Sequence, residues 1–335
     1  MGPLHFTVRH AVPEPCPQIM NPMESTTARN HLSIAVIIPC HNESAAIAGV
    51  VRGFQASVPE ARIYVYDNAS TDDTPDIARA AGAIVRYEPL KGKGNVVRRM
   101  FADVEADIYV LVDGDDTYDA ASAPKLIHRL LERNLDMVNG ARVATHDSAY
   151  RPGHRLGNRV LTGLVASIFG NQLGDMLSGY RAFSRRFVKS FPALSSGFEI
   201  ETELTVHALE LKAPIDEVPT PYRERPTGSS SKLHTFRDGA RILSLIIHLV
   251  KEERPLKFFS LIGTIVFVLA LASGWIVITD YLATGLVSRF PTAILATGLV
   301  IVSLLSFVTG FILDTVTRGR REMKRLHYLA LGSRN

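Results

Sequence analysis

The chain predicts an α/β fold built on a mostly parallel sheet covered on both faces, followed by a two-helix hairpin that crosses a membrane. Short β-branched runs alternate with helical stretches over residues 34–133, polar clusters follow successive strand ends, and two long uncharged segments lie near the C-terminus. A length of 335 residues leaves room for more than one unit.

Residues 34–38, 63–66, 83–86, 108–112 and 137–139 read as strands, and residues 44–57, 74–81, 94–104 and 123–133 read as the helices between them. That alternation implies parallel pairing, with ligands gathered at the carboxyl ends of the strands. Polar residues stand at those ends: Pro39-Cys40-His41-Asn42-Glu43-Ser44 after the first strand, Asp67-Asn68-Ala69-Ser70-Thr71-Asp72 after the second, and Asp113-Gly114-Asp115-Asp116 after the fourth. Turn and cap chemistry accounts for any one of them. Three in succession on one edge point to a shared site. The closely spaced carboxylates of the third cluster repel one another, which a Mg²⁺ or Mn²⁺ ion with bound phosphates offsets; a solvated acidic turn is the alternative. Lys91-Gly92-Lys93-Gly94 adds cations and pliant backbone ahead of a helix, as phosphate binding requires.

Residues 258–279 and 290–313 contain no charged residue, and each exceeds the roughly 20 residues that cross a bilayer as a helix. The short connection 280–289 makes them a hairpin. Lys251, Arg254 and Lys257 precede the first span, and Arg318, Arg320, Arg321, Lys324 and Arg325 follow the second. By the positive-inside rule both termini and the soluble domain are cytoplasmic, on a multi-pass protein of the inner membrane. Before the spans, Arg237, Arg241, Ser244, His248 and Lys251 share one helical face while Phe236, Ala240, Leu243, Ile247 and Val250 share another, which predicts an interfacial amphipathic helix.

The expected organisation is a disordered tail over 1–30 without a signal-peptide core, a soluble domain over 31–233, the amphipathic helix over 234–254, the hairpin over 255–317 and a basic tail over 318–335. Cys16 and Cys40 make no disulfide framework, which suits a reducing compartment. The net charge of +4 restates the juxtamembrane bias. Basic stripes with interleaved aromatics and zinc-ligand spacings are both absent, so nucleic acid is not an expected partner. Gly263, Gly274, Gly298 and Gly310 give the spans small faces for close helix packing and leave a homo-oligomer open.

These residues resemble the inverting GT-A glycosyltransferases of family 2, in the polyprenyl-phosphate branch typified by dolichyl-phosphate-mannose synthases. Pro39-Cys40-His41-Asn42-Glu43 is similar to the family's Pro-x-Tyr-Asn-Glu opening, 67–72 to its Asp-Asp-Gly-Ser-x-Asp turn, and Lys91-Gly92-Lys93-Gly94 to its Lys-Gly-x-Gly segment. Asp113-Gly114-Asp115 resembles the Asp-x-Asp metal motif, Asp175 to Arg181 the Asp-x-x-Ser-Gly-Phe-Arg signature, and Gly228 to Lys232 the Gly-x-Ser-Lys segment.

The resemblance implies a GT-A fold and transfer of a sugar, with inversion, from a UDP- or GDP-linked donor to a polyprenyl phosphate. It implies that Pro39, Asn42, Glu43, Asp67, Asn68, Ser70, Lys93 and Asp113 bind the nucleotide sugar. Asp115 is the first choice as Mg²⁺ or Mn²⁺ ligand, Asp113 the second, and Thr117 a third candidate where relatives often carry Gln. The charge building on the departing diphosphate makes Asp115 catalytic through that ion. An acceptor phosphate is already anionic near neutral pH, so positioning outweighs proton abstraction. Arg142, Arg159, Arg225 and Lys232 are the candidates for holding it. Asp175 is either a base or an orienting group, with turn capping as the plainer reading, and Glu201 stands out among Glu199, Glu201 and Glu203 because the family pattern keeps an acid near that position. A processive polysaccharide synthase of the same fold is the rival enzyme, but its Gln-x-x-Arg-Trp motif is absent: the sole Trp275 lies inside a span. A non-catalytic nucleotide-sugar-binding scaffold is the rival outside enzymology.

Overall fold

The computed structural model describes residues 32–144, 163, 174–197, 199–225, 244, 247 and 250–332. The expected tail over 1–30, Arg159, Lys232 and most of the amphipathic stretch 234–254 lie outside the described residues.

Among the described residues seven strands form one sheet: β1 (Ile34–Cys40), β2 (Arg62–Asp67), β3 (Ile84–Tyr87), β4 (Ile108–Leu111), β5 (Met137–Ala144), β6 (Arg181–Ser184) and β7 (Ile215–Tyr222). Their spatial order is β3-β2-β1-β4-β6-β5-β7. All neighbouring pairs are parallel except those made by β6, which runs antiparallel to β4 and β5. Helices α1 (Ile47–Ser57), α2 (Thr74–Ala80), α3 (Lys93–Asp103) and α4 (Ala123–Glu132) connect the first five strands. Because β2 and β4 lie on opposite sides of β1, the chain leaves β1 and β4 in opposite directions, which opens a crevice between their carboxyl ends. The register, with Cys40 opposite Asp67 and Ile37 opposite Leu111, brings the polar clusters after β1, β2 and β4 onto one edge.

The elements that the sequence pattern did not reveal are β6, β7 and the short helix α5 (Arg185–Ser190). β7 reads Ile-Asp-Glu-Val-Pro-Thr-Pro-Tyr, whose acids and two prolines suit an edge strand with one unpaired side. Helix α6 (Ile200–Leu211) packs Ile200, Leu204 and Ala208 into the core beneath β4 and β6. There Phe183, Phe187 and Phe191 stack in series and Phe101 meets Phe183 and Phe191 edge-on. Truncating Phe187, which is fully buried at the centre of this stack, should cost about 3–5 kcal/mol.

The C-terminal hairpin consists of α7 (Pro255–Thr284) and α8 (Phe290–Ala330). Their apolar residues, Leu269 and Leu304 among them, are largely exposed, opposite to the core helix of a soluble protein. Both are therefore candidate membrane spans. Ser303 Oγ donates to Gly263 O at 2.9 Å. Gly263 faces Phe307 and Gly310 faces Phe259. Gly274 lies opposite Ala296, so three of the four glycines noted in the spans face the other helix of the hairpin.

The stretch expected as a basic tail after residue 317 is helical through Ala330. With 41 residues, α8 is about 60 Å long, roughly twice the thickness of a bilayer's hydrocarbon core. Its polar end returns to the sheet domain. Lys324 pairs with Glu210 at 2.8 Å, the Tyr328 hydroxyl donates to Asp136, and the Arg186 guanidinium lies 4.5 Å from the centre of the Tyr328 ring. Tyr328 also packs on Leu211 and Ala213.

Candidate active site

The first two loops of the carboxyl edge hold each other in place. Asn42, in the left-handed region at φ 53, donates its N–H to Ser70 Oγ at 2.9 Å and accepts from the Thr71 N–H at 2.7 Å. The N–H of Glu43 reaches Thr74 Oγ1 at 2.8 Å, and that of Ser44 reaches Asp72 at 3.2 Å. Ala69 and Asp116 also take positive φ, so each of the three strand ends carries one such residue. Asp116 is the turn residue of its cluster. Strain of this kind persists where its surroundings over-determine it.

Asn68 fixes the third loop. Its amide donates to the carbonyls of Glu88 and Leu90 at 2.9 and 2.8 Å and accepts from Gly92 N–H at 2.7 Å. Gly92 has φ 124, which an L side chain rarely adopts. Asn68 and Ser70 therefore position loops in this structure. Asp67 is different: Oδ2 accepts from Ser70 N–H at 3.2 Å, while Oδ1 is buried without a hydrogen-bond partner. A buried acceptor left open is an expensive feature.

Lys93 reaches into the centre of the edge. Its ammonium lies 2.5 Å from Asp113 and in direct contact with Glu201. Burial opposes the lysine charge, but Asp113 and Glu201 outweigh it and push its pKa up. Burial lifts Glu201, with Lys93 pulling the other way. Glu201 is thus a buried partner of the site. Glu203 accepts from the N–H groups of Leu194 and Ser195, at 2.8 Å each, and holds that loop against Gly94, whose N–H donates to Ser196 O. Periodicity alone could not separate these roles, because both acids open the same helix.

Asp113 rests against Gly179, where any side chain would strike the carboxylate. The turn around Gly179 is held from below by Arg181, a fully buried guanidinium that donates to the carbonyls of Ser178 and Met176 at 3.0 and 2.6 Å and to Thr205 at 2.9 Å. Burial pushes its pKa down to about 10. Arg181 is a residue of the signature that the sequence reading left without a role.

Asp115 accepts at Oδ1 from the Thr117 hydroxyl at 2.6 Å and N–H at 3.2 Å. Its Oδ2 is 2.6 Å from the Arg225 guanidinium, which also lies 3.9 Å from Glu43. Burial and the neighbouring Asp113 raise the pKa of Asp115. Thr117 is itself buried, with its hydroxyl donating to Asp115. Among the described residues no three His, Cys, Asp or Glu side chains close on one point. Two carboxylates at a crevice mouth fit a Mg²⁺ or Mn²⁺ ion that takes its remaining oxygens from phosphates and water.

Beyond Asp113 lies a second charged pair. Asp175 grips Arg142 through both oxygens, at 2.7 and 2.8 Å, and accepts its N–H at 3.2 Å. Burial works against the Asp175 charge, yet these bonds prevail and lower its pKa. Glu217 secures the Asp175 turn by accepting from the N–H groups of Gly174 and Asp175 at 2.8 and 3.0 Å. The Arg142 guanidinium is 5.6 Å from the centre of the Tyr222 ring, which leans on Tyr118. A carboxylate held this way is a poor proton acceptor and a good clamp for an arginine.

The profile of glycosyl transferase family 2 matches residues 35–191. Over 305 residues the chain is 33% identical to glycosyltransferase AglJ of Haloferax volcanii, covering 89% of this chain and 98% of AglJ. Similarity to the dolichyl-phosphate hexose transferase of that organism is 29% identity over 221 residues, covering 66% and 95% of the two chains. Among solved structures, glucosyl-3-phosphoglycerate synthase of Mycobacterium tuberculosis in complex with Mn²⁺, UDP and phosphoglyceric acid superimposes with a TM-score of 0.56 at 25% identity, covering 67% of this chain and 80% of that one. The sheet order, the crevice with its carboxylates and the extended similarity to AglJ lead to one assignment: the chain belongs to glycosyl transferase family 2 and has the GT-A fold.

Proposed function

We propose that this chain transfers one sugar from a nucleotide-diphosphate sugar to a polyprenyl phosphate, with inversion, at the cytoplasmic face of the inner membrane. The observation that carries the acceptor is α8, which runs from a long exposed apolar segment directly onto the catalytic unit through Lys324 and Tyr328. Such anchoring suits an acceptor that is itself embedded in the bilayer. The similarity to a dolichyl-phosphate hexose transferase supports the same class, and the synthase complex holding UDP and Mn²⁺ supports a nucleotide donor with a divalent ion.

In this reading the open Oδ1 of Asp67 accepts from a nucleobase N–H. Pro39, Asn42 and Glu43 line the nucleoside side, with Asn68 and Ser70 holding the loops. Lys93 steers Asp113 toward the nucleotide. Asp115 and Asp113 hold Mg²⁺ or Mn²⁺, which when bound supplies positive charge to the departing diphosphate. Arg142, fixed by Asp175, presents a planar cation to the acceptor phosphate, joined by Arg225, Arg159 and Lys232. An oxygen of the phosphate monoester attacks the anomeric carbon as its bond to the diphosphate breaks. One negative charge passes from the acceptor to the leaving nucleotide, and no proton moves. That balance fits a site whose candidate base is locked to an arginine, and it assigns Asp175 the orienting role.

The test is to incubate purified full-length protein with UDP- and GDP-sugars, Mg²⁺ or Mn²⁺, and either a polyprenyl phosphate or the matching polyprenol. Product from the phosphate and none from the alcohol is expected. Equal use of the alcohol, or no lipid product from any donor, contradicts the proposal.

A further inference from the structure

The two halves of the crevice are joined by one side chain to which the proposed chemistry gives no role. Tyr118 follows the metal motif, three residues after Asp115, and is 5% exposed. Its hydroxyl oxygen accepts from the Gly179 N–H at 2.8 Å, and Gly179 is the residue on which the Asp113 carboxylate rests. Burial pushes the Tyr118 phenol up, so the group stays a neutral hydroxyl. A phenylalanine would fill nearly the same space and leave the buried Gly179 N–H short of its acceptor.

The ring makes the second connection. Its centre lies 5.2 Å from that of Tyr222, and the backbones of the two residues bridge as an antiparallel pair. Arg223 donates its N–H to Thr117 O at 2.8 Å, so the end of β7 is laced to the loop that carries Asp115. The Tyr222 ring in turn carries the Arg142 guanidinium, 5.6 Å from its centre. Tyr118 also meets Tyr180 with ring centres 5.4 Å apart, and Phe54 of α1 braces Tyr180 edge-on at 6.0 Å, which gives the phenol a rigid backing. In-line displacement depends on the separation of attacking and leaving groups, and a misplacement of about 1 Å can cost about 10²-fold in rate.

We infer that Tyr118 is a positioning residue that sets the spacing between the two halves of the reaction: its hydroxyl fixes Asp113 through Gly179 on the donor side, and its ring fixes Arg142 through Tyr222 on the acceptor side. The inference rests on the proposed transfer to a lipid phosphate and adds to it a residue that acts through its neighbours. The two contacts use different atoms of one side chain, so they can be removed separately.

Full-length variants test each contact. Tyr118→Phe keeps the ring and loses the acceptor of the Gly179 N–H; binding of Mn²⁺ in the presence of UDP, followed by electron paramagnetic resonance, should weaken about tenfold, while the KM for polyprenyl phosphate stays within about twofold of wild type. Tyr118→Leu loses both contacts and should in addition raise that KM about tenfold, with kcat falling further than in Tyr118→Phe. Tyr118→Met takes its place if the leucine variant does not fold. A tyrosine that serves stability alone would lower the melting temperature of the variants and leave Mn²⁺ binding with UDP and the KM for lipid phosphate unchanged in the folded protein, and that result overturns the inference. So does a Tyr118→Leu protein whose KM for lipid phosphate equals that of Tyr118→Phe. Wild-type protein that binds Mn²⁺ with UDP but makes no lipid product overturns the transfer reading instead; the Mn²⁺ titration of Tyr118→Phe is independent of it.

Discussion

The two edges of the sheet carry the same chemistry, buried carboxylates facing cations, and complete it to different degrees. On the amino edge Asp136 is fully buried and both oxygens are satisfied: Ser184 Oγ at 2.6 Å, Arg186 at 3.1 and 2.8 Å, and the Tyr328 hydroxyl. On the carboxyl edge Asp67 keeps a buried oxygen without a partner, Lys93 is shared between two acids, and Asp115 leans on a half-exposed arginine. A completed network joins α8 to the domain. An open buried acceptor such as Asp67 Oδ1 is a place where a ligand can add a partner.

Substitutions that break one edge should spare the function of the other. Asp115→Asn should reduce turnover by about 10²–10³-fold or more while leaving the melting temperature unchanged or higher, because burial and Asp113 already disfavour its charge. The reverse holds for Asp136→Asn, which takes the charge from a fully buried hydrogen-bond acceptor of the partly exposed Arg186; a loss of roughly 1.5–3 kcal/mol in denaturant unfolding is expected, with the turnover of folded protein retained. Arg142→Ala and Asp175→Ala should each raise the KM for lipid phosphate about tenfold or more, and the double variant should be scarcely worse than either, since the two act as one clamp. Additive losses in that cycle would separate their roles.

The last effect concerns pH and is felt only in acid. His207, buried against Phe187 and Phe191, has its pKa pushed down to about 3 by burial and then by Lys324, from an ordinary 6.5. The unfolded chain therefore takes up a proton that the folded one refuses between those values. The resulting stability is fully present above pH 6.5 and is lost as pH falls toward 3, at up to about 1.4 kcal/mol per pH unit. Replacing His207 with Phe or Gln should flatten the acid side of the stability profile, measured by denaturant unfolding across that range.

Much of the carboxyl edge was legible in the sequence because strand-end motifs are contiguous: Asn42 and Glu43, Asp67 to Ser70, and Asp113 to Asp116 fall where their strands end. Partnerships over long sequence separations were not. Lys93 with Glu201, Arg142 with Asp175 and Arg225 with Asp115 depend on how β5, β6 and β7 are arranged. β6 is only four residues long and opens with a buried arginine, while β7 carries two prolines, so neither shows an alternating pattern. On the amino edge, the role of Tyr328 was hidden by a run of basic residues that resembles a tail, although the same run continues the apolar helix α8.

The central claim concerns the acceptor, and the mass of the lipid product tests it most directly. Full-length protein, one nucleotide-diphosphate sugar, a divalent cation and a polyprenyl phosphate should yield a lipid heavier by a single sugar residue, with one nucleotide diphosphate released for each lipid converted. Nucleotide released without a change in lipid mass, or lipids carrying long runs of sugars, would contradict it.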